Sequence, residues 1–383
     1  MPPQLEPSDC DFAVMTDKTN MIKPSIAQAT LVFPAVNQAA IDFLIAARQR
    51  GERVVCAASV ASDDIASDWG GLERLPSIYE AEFAAQFYAL VKRESIRRLF
   101  CPVASVYDFM RRFVAEKGMD IELIGQSPIS QQVAQHRQLM TRANRLLPLV
   151  QQCAAGGRPP IARLELAGLL RQSSLIYGES NDDKLAALMG IFSSAPAGDV
   201  VEIGSLMGRS AFVLTYLAWR YQVGCILTID PWKADNAIQH KSTSEFQALV
   251  DEWDFEVLSE GFMVNMVALR PDDHAHLRMP AAEGFMVYTN GMPIYSQLGG
   301  SVTYARKIAV IHIDGNHDYD CVKADCDLWL SRMVPGAWLI LDDYIWAHGD
   351  GPFRAGNELL SDQSDRIERA FVCGKALFVK FNF

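Results

Sequence analysis

At 383 residues the chain is long enough for two or three domains with substantial apolar cores. A net charge of −11, from 35 Lys and Arg against 46 Asp and Glu, argues against nucleic acid or an anionic membrane as the main partner, because binding to phosphate rests on clustered basic side chains. The N-terminus lacks the charged and apolar regions of a signal peptide, and no run approaches the roughly 18 apolar residues of a membrane span, so a soluble cytoplasmic protein is expected.

Residues 1–26 read as a loose polar arm. Short apolar runs predict strands at 30–33, 53–58, 98–102 and 121–125, alternating with helices at 37–50, 80–93 and 106–117 and interrupted by a loop at 62–71. That alternation predicts a small parallel α/β domain over 27–155, which resembles in pattern the Rossmann-like domains that precede catalytic domains in some enzymes. Its turns carry neither G-x-G-x-x-G nor G-x-x-x-x-G-K-[ST], so no nucleotide loop is assigned there. A helix at 130–153 leads into Ala154-Ala-Gly-Gly-Arg-Pro-Pro160, where the glycines and paired prolines place the domain boundary. The second domain, 160–383, opens with helices at 161–172 and 182–193, a strand at 199–204, a helix at 210–221 and a strand at 225–230. The stretch 242–303 yields no pattern that translates into a pocket. A strand, a helix over 319–332 and another strand follow, and two apolar runs at 367–373 and 376–383 flank Gly374-Lys375 as a hairpin. Eight cysteines (Cys10, Cys56, Cys101, Cys153, Cys225, Cys321, Cys326 and Cys373) form no C-x-x-C pair and no zinc spacing, which predicts reduced, mostly buried thiols.

The chemistry concentrates in the second domain. Ile308-Ala-Val-Ile-His-Ile-Asp-Gly-Asn-His317 and, one helix later, Val334-Pro-Gly-Ala-Trp-Leu-Ile-Leu-Asp-Asp-Tyr344 are apolar runs that end in acids. Buried parallel strands deliver side chains in this way to the carboxyl edge of an α/β sheet, where such sheets bind ligands. Asp314, Asp342 and Asp343 are therefore expected to converge. Like charges that close are costly without a cation among them, which points to a divalent metal with hard oxygen ligands. Val200-Val-Glu-Ile-Gly-Ser-Leu-Met-Gly-Arg-Ser210 reads as strand, tight turn and helix start, in which Gly204 and Gly208 let the backbone approach a ligand and Glu202 lies at the end of the strand. Asp230 ends the next strand and is placed to accept hydrogen bonds from a ribose diol. Together they indicate a nucleoside-bearing ligand, and G-x-x-x-G lacks the middle glycine that meets a pyrophosphate.

With these residues in place, residues 170–383 resemble the class I S-adenosylmethionine-dependent methyltransferases. The resemblance is closest to the metal-dependent O-methyltransferases of natural-product biosynthesis, a group that includes macrolide-sugar and cephalosporin-pathway enzymes. It rests on Val-Glu-Ile-Gly at 201–204, Thr-Ile-Asp-Pro-Trp at 228–232, Ile-Asp-Gly-Asn-His-Asp-Tyr at 313–319, and Pro-Gly-x-Trp with Leu-Asp-Asp-Tyr within 335–344, in that order. It implies a seven-stranded Rossmann-like sheet with a C-terminal antiparallel hairpin. Glu202, Gly204, Ser205 and Gly208 would border the cofactor, Asp230 would hold its ribose, and Asp314, Asp342 and Asp343 would ligate Mg²⁺ or Mn²⁺. Asp342 stands where the family often has the longer Glu. His317 falls where some of these enzymes place a general base, although the residues alone read equally as a cap on the following helix. The implied reaction is methyl transfer to a hydroxyl of a small polar metabolite such as a sugar, polyol or natural-product scaffold. Neither nucleic acid nor membrane is expected as a partner, and the N-terminal half is expected to serve substrate access or assembly of a homo-oligomer. A cofactor-binding scaffold without catalysis and a dinucleotide-dependent oxidoreductase remain as other readings. Tyr177 either closes over the cofactor or packs. His312 is expected as a hydrogen-bonded core residue and His274 and His276 in loops, while His348 shares with Tyr344, Trp346 and Arg354 a loop placed to line an acceptor pocket.

Overall fold

The computed structural model describes residues 28–60, 71–154, 156–239, 244–269, 271–297 and 300–382. The arm at 1–26, most of the loop at 62–71, Cys10 and Gly299 lie outside the described residues. The chain divides into two compact units, Met1–Gln135 and His136–Phe383. The division falls inside the helix Pro128–Cys153 and not at the glycines and prolines of 154–160. Ala143, Leu146, Val150 and Cys153 of that helix are buried in the core of the second unit, and this i, i+3, i+7, i+10 stripe commits its second half to that core.

In the first unit five strands, β1 (Ala29–Val32), β2 (Val54–Ala58), β3 (Glu73–Arg74), β4 (Ile96–Phe100) and β5 (Glu122–Leu123), form a parallel sheet in the order β3-β2-β1-β4-β5. Leu31 and Phe33 pack with Phe83 and Phe87 of the helix Phe83–Glu94 on one face. Val32 packs with Ala40 and Leu44 of the helix Gln38–Gln49 on the other.

The second unit is built on β6 (Asp199–Ile203), β7 (Ile226–Ile229), β8 (His274–Leu277), β11 (Ile308–Ile313), β12 (Met333–Leu341), β13 (Ile367–Cys373) and β14 (Ala376–Phe381), with a small separate pair β9 (Ile294–Tyr295) and β10 (Ser301–Val302). The sheet order is β13-β14-β12-β11-β6-β7-β8, with β14 antiparallel to both neighbours and the remaining pairs parallel. This is the seven-stranded sheet with a terminal hairpin that the resemblance implied. Every residue of β6, β7 and β11 is buried, because helices cover both faces and leave no polar side to a central parallel strand. Gly374 and Lys375, at φ 56° and 72°, make the two-residue turn between β13 and β14.

Two parts of the second unit depart from the sequence reading. His274 and His276 lie buried on the edge strand β8, not in loops. The unread stretch before β11 contains the helices Phe255–Met266 and Ala281–Thr289. Among the described residues the seven cysteines are free and at least half-buried, as expected, and no helix is long and apolar enough to cross a membrane.

Candidate functional site

The carboxyl edge of the sheet is assembled by register. Ile203 of β6 pairs with Ile229 of β7 and with Ile313 of β11, and Ile313 pairs with Leu341 of β12. The residue after each strand, Gly204, Asp230, Asp314 or Asp342, therefore lies on the same edge, and the ladder carries one step beyond the strands. The Asp314 N–H donates to the Ile203 carbonyl at 2.8 Å, the Asp342 N–H to Ile313 at 2.9 Å and the Gly204 N–H to Ile229 at 2.9 Å. A cavity of about 520 Å³ opens over this edge, within the size of small-molecule pockets. One wall is Tyr177, Gly204, Ser205, Leu206, Arg209, Asp230 and Trp232, and the other is Asp314, His317, Asp342, Asp343, Trp346, His348 and Lys375.

On the first wall the Asp230 carboxylate accepts the backbone N–H groups of Ser205 at 2.8 Å, Leu206 at 3.0 Å and Trp232 at 2.8 Å. Burial pushes Asp230 up from its ordinary range and these three donors oppose the shift. The Trp232 indole donates to the Leu206 carbonyl at 2.9 Å, which fixes the turn from its far side. Arg209 donates to the Gly178 carbonyl at 2.8 Å and so holds the segment bearing Tyr177, itself 62% exposed. Its Nε is buried without a hydrogen-bond partner among the described residues.

Two of the residues expected to border the cofactor, Glu202 and Gly208, are not on the cavity wall. Glu202 is fully buried behind the wall, its Oε1 2.9 Å from His312 Nδ1 and its Oε2 accepting the Ser205 hydroxyl at 3.0 Å. Side chains alternate along a strand, and it is Ile203, not Glu202, that lines the cavity. Gly208 opens the helix Arg209–Arg220 at φ 92°, and a Cβ there would meet the Phe262 ring at 3.0 Å. Its role is to let that ring pack against the helix start. Gly204 does line the cavity, but at φ 81° a Cβ on it would run into the Asp314 carbonyl, so its lack of a side chain serves strand contact first.

The acids on the second wall converge as expected, and the chain itself supplies cations among them. Lys184, 1% exposed on the helix Asp182–Ile191, forms an ion pair with Asp342 Oδ2 and stands 3.3 Å from Asp314 Oδ2. Lys375 Nζ lies 3.6 Å from Asp343 Oδ1. His317 Nε2 lies 3.7 Å from Asp314 Oδ1 and 3.6 Å from Asp343 Oδ2, and its Nδ1 is 3.3 Å from Gln239 Nε2. Burial alone would lower the His317 imidazole, but Asp314 foremost, with Asp343 and Asp342, raises it above its ordinary value. Burial raises Asp342 as well, and Lys184 overrides this and holds it low. Burial and the neighbouring Asp342 push Asp314 up to about 6. The indole of Trp346 meets the His317 ring edge-on at 4.8 Å and the His348 ring at 5.4 Å. His312 is the hydrogen-bonded core histidine expected. Arg354 is not on the cavity wall and sits over the Tyr319 ring at 4.2 Å.

Sequence reasoning missed Lys184, Arg209, Trp232 and Asp325, the last a cavity residue whose carboxyl burial pushes up to about 7. For Lys184 a signal existed. Asn181 caps its helix by accepting the Lys184 N–H at 3.0 Å, and Lys184 opens the run Lys-Leu-Ala-Ala-Leu-Met-Gly-Ile at 184–191, every residue of which is buried. A lone lysine in such a run needs a buried partner.

Residues 201–344 match a family model described as a methyltransferase domain. No curated protein matches the chain. Among solved structures the chain is similar to the O-methyltransferase NovP, with 14% identity over 60% of this chain and 84% of that one and a TM-score of 0.35. It is also similar to CalS11, a TDP-rhamnose 3'-O-methyltransferase of calicheamicin biosynthesis, with 12% identity over 67% and 96% and a TM-score of 0.32. A third is MycE, a methyltransferase of the mycinamycin pathway in complex with Mg and SAH, with 14% identity over 59% and 55% and a TM-score of 0.34.

Proposed function

From a chain whose residues 201–344 match a methyltransferase-domain model, we propose an S-adenosylmethionine-dependent O-methyltransferase that acts on a hydroxyl of a small polar metabolite. The observation that carries this reading is the single cavity that joins the Asp230 and Ser205 wall to the Asp314, His317 and Asp343 wall.

The first wall fits the cofactor. Three backbone donors leave the Asp230 carboxylate, with about four lone-pair sites, room for a ribose hydroxyl. The unpartnered Arg209 Nε offers a donor to the methionine carboxylate. S-adenosylmethionine, when bound, supplies a methyl group already activated on a sulfonium. What remains for the protein is to align an oxygen nucleophile and to remove one proton. Asp343, Lys375, His348 and Trp346 offer polar edges and an aromatic face to a hydroxylated acceptor. His317 Nε2, flanked by Asp314 Oδ1 at 3.7 Å and Asp343 Oδ2 at 3.6 Å, which make it a stronger base, takes in its neutral form the hydroxyl proton as the new O–C bond forms and the methyl–sulfur bond breaks.

For the divalent ion expected at Asp314, Asp342 and Asp343, the gap between the first two acids is taken, while ligand atoms of Asp314, His317 and Asp343 lie within 4.8 Å of one another on the cavity side. The Lys184 ammonium lies between Asp314 and Asp342, and Lys375 lies beside Asp343.

The test is calorimetric titration of S-adenosylmethionine into the wild type and into Asp230→Ala, followed by an acceptor screen with methyl-labelled cofactor. Affinity is expected to fall by roughly tenfold or more in Asp230→Ala, as for loss of hydrogen bonds to a charged group. Unchanged affinity in the folded variant removes Asp230 from the site. Tight cofactor binding with no acceptor methylated across the screen favours the scaffold reading.

A further inference from the structure

Three carboxylates at the ends of adjacent strands need positive charge among them, and the ordinary supplier is a divalent ion. Here the space between Asp314 and Asp342 is taken by the Lys184 ammonium, which touches Oδ2 of both. We infer that Lys184 is the resident cation of the Asp314–Asp342 pair, so that these two acids are neutralised and held in place without a divalent metal between them. As a statement about how methyl transfer is arranged, this rests on the function proposed above.

An octahedral Mg²⁺ draws its oxygens to about 2.0–2.1 Å and needs the carboxylates bare on the side that faces it. To admit one between Asp314 and Asp342, the ammonium would have to leave, and the backbone that carries it is held in place. The Asn181 carboxamide accepts the Lys184 N–H at 3.0 Å. The turn of the C-terminal hairpin presses on the same point, since a Cβ on Gly374 would collide with the Lys184 backbone nitrogen and with Asn181 Oδ1. The side chain is 1% exposed, and it is absent from the cavity wall on which all three acids appear. Lys184 therefore reaches the cluster from behind, out of the sheet's core, and leaves the solvent-facing side of the acids to the acceptor. A buried ammonium stripped of its partners is strongly unfavourable, so an arriving ion would have to offset that loss as well as its own dehydration. Lys184 is on this view a positioning residue, one that sets the orientation and charge of Asp314 and Asp342 without touching the reacting atoms.

The experiment uses the full chain, freed of metal with EDTA, and titrates Mn²⁺ alone. Free Mn²⁺ is read by electron paramagnetic resonance, and thermal unfolding is followed in parallel. The wild type is expected to leave Mn²⁺ in solution and to keep one Tm in EDTA and in Mn²⁺. Lys184→Met is expected to lower Tm by on the order of 10 °C and to bind Mn²⁺ at least tenfold more tightly than the wild type, because the vacated pair of carboxylates then calls for an ion. If Lys184→Met does not fold, Lys184→Met/Asp342→Leu removes both members of the pair and is expected to recover a folded protein. Stoichiometric Mn²⁺ uptake by the wild type with a rise in Tm overturns the inference. So does a Lys184→Met protein as stable as the wild type, or one that binds Mn²⁺ no better. Cofactor titration on the same wild-type preparation separates the two readings: loss of S-adenosylmethionine binding would defeat the methyltransferase proposal, whereas the Mn²⁺ result alone decides the role of Lys184.

Discussion

Glu202 and His312 stand opposite one another in the register of β6 and β11, Glu202 Oε1 2.9 Å from His312 Nδ1, with both side chains fully buried. The other carboxylate oxygen accepts the Ser205 hydroxyl at 3.0 Å, and His312 Nε2 lies 3.8 Å from Asp314 Oδ2 and 3.9 Å from Asp342 Oδ2. A line of polar groups thus runs beneath the cavity from the turn after β6 to the acid cluster. Glu202→Ala would leave the imidazole buried without its partner and is expected to lower stability by about 1–3 kcal/mol, while Glu202→Gln keeps a polar group at that position and is expected to lose less. Urea unfolding of the two variants checks this, and an alanine variant as stable as the wild type would show that the pair contributes nothing to the fold.

Gly204 is held at φ 81° with the Asp314 carbonyl where a Cβ would go. An alanine there must strain the backbone and also part β6 from β11 just below the acids. Gly204→Ala is expected to cost at least about 1–3 kcal/mol, the range for a non-glycine residue forced into such a conformation. Thermal unfolding measures it. A variant with an unchanged Tm would mean that these strand ends stand further apart than the structure places them.

What could be read from the sequence follows from where the physics is local. An apolar run ending in an acid at Asp230, Asp314 or Asp342 signals a buried strand and its edge without reference to any other part of the chain, and the edge was legible for that reason. Lys184 was not, because a lysine on a helix ordinarily reaches solvent and its burial here depends on the packing of the hairpin turn at Gly374. Strand β8 was hidden differently: in His-Ala-His-Leu at 274–277 neither histidine favours a strand on its own, and pairing with β7 buries them. The hydrogen bonds of Glu202 to His312 and Ser205 were not legible, because a strand end identifies the edge but not which face each side chain takes. Gly and Pro mark a break in local structure, whereas the compact units part within a helix.

The same two histidines make an acid limb in stability. Burial lowers His274 to about 3, with His276 adding to the shift, and burial lowers His276 to about 4. Below the ordinary value of 6.5 the unfolded chain takes up protons that the folded chain refuses, so the unfolded state binds more protons and stability rises with pH across this window. Stability is therefore expected to fall as pH drops from about 6.5 toward 4, by up to several kcal/mol if both groups stay neutral in the fold. Urea midpoints measured across that range check it. His274→Asn/His276→Asn removes both titrations and is expected to be less stable at neutral pH but to show a flatter acid limb. An acid limb of unchanged slope in the double variant would assign it to the carboxylates instead.

His317 is the residue on which the chemistry and the packing explanations part. It precedes the helix Tyr319–Trp329, whose cap residue Asp318 makes no side-chain capping bond, and its ring turns to the cavity between Asp314 and Asp343. A histidine that merely fills this corner would affect stability and leave turnover nearly intact. A proton acceptor would do the reverse. His317→Ala is expected to keep cofactor affinity and to lose on the order of 10²–10⁴-fold in kcat, the usual share of general base catalysis. Added imidazole is expected to restore part of the lost rate, since the space left by the ring opens onto the cavity. Initial rates with the methyl acceptor found in the screen, with and without imidazole, measure both effects. Near-normal turnover in a folded His317→Ala protein would return the histidine to a packing role and leave the proton to another group on the wall, of which His348 is the next nearest in the chain to the acids.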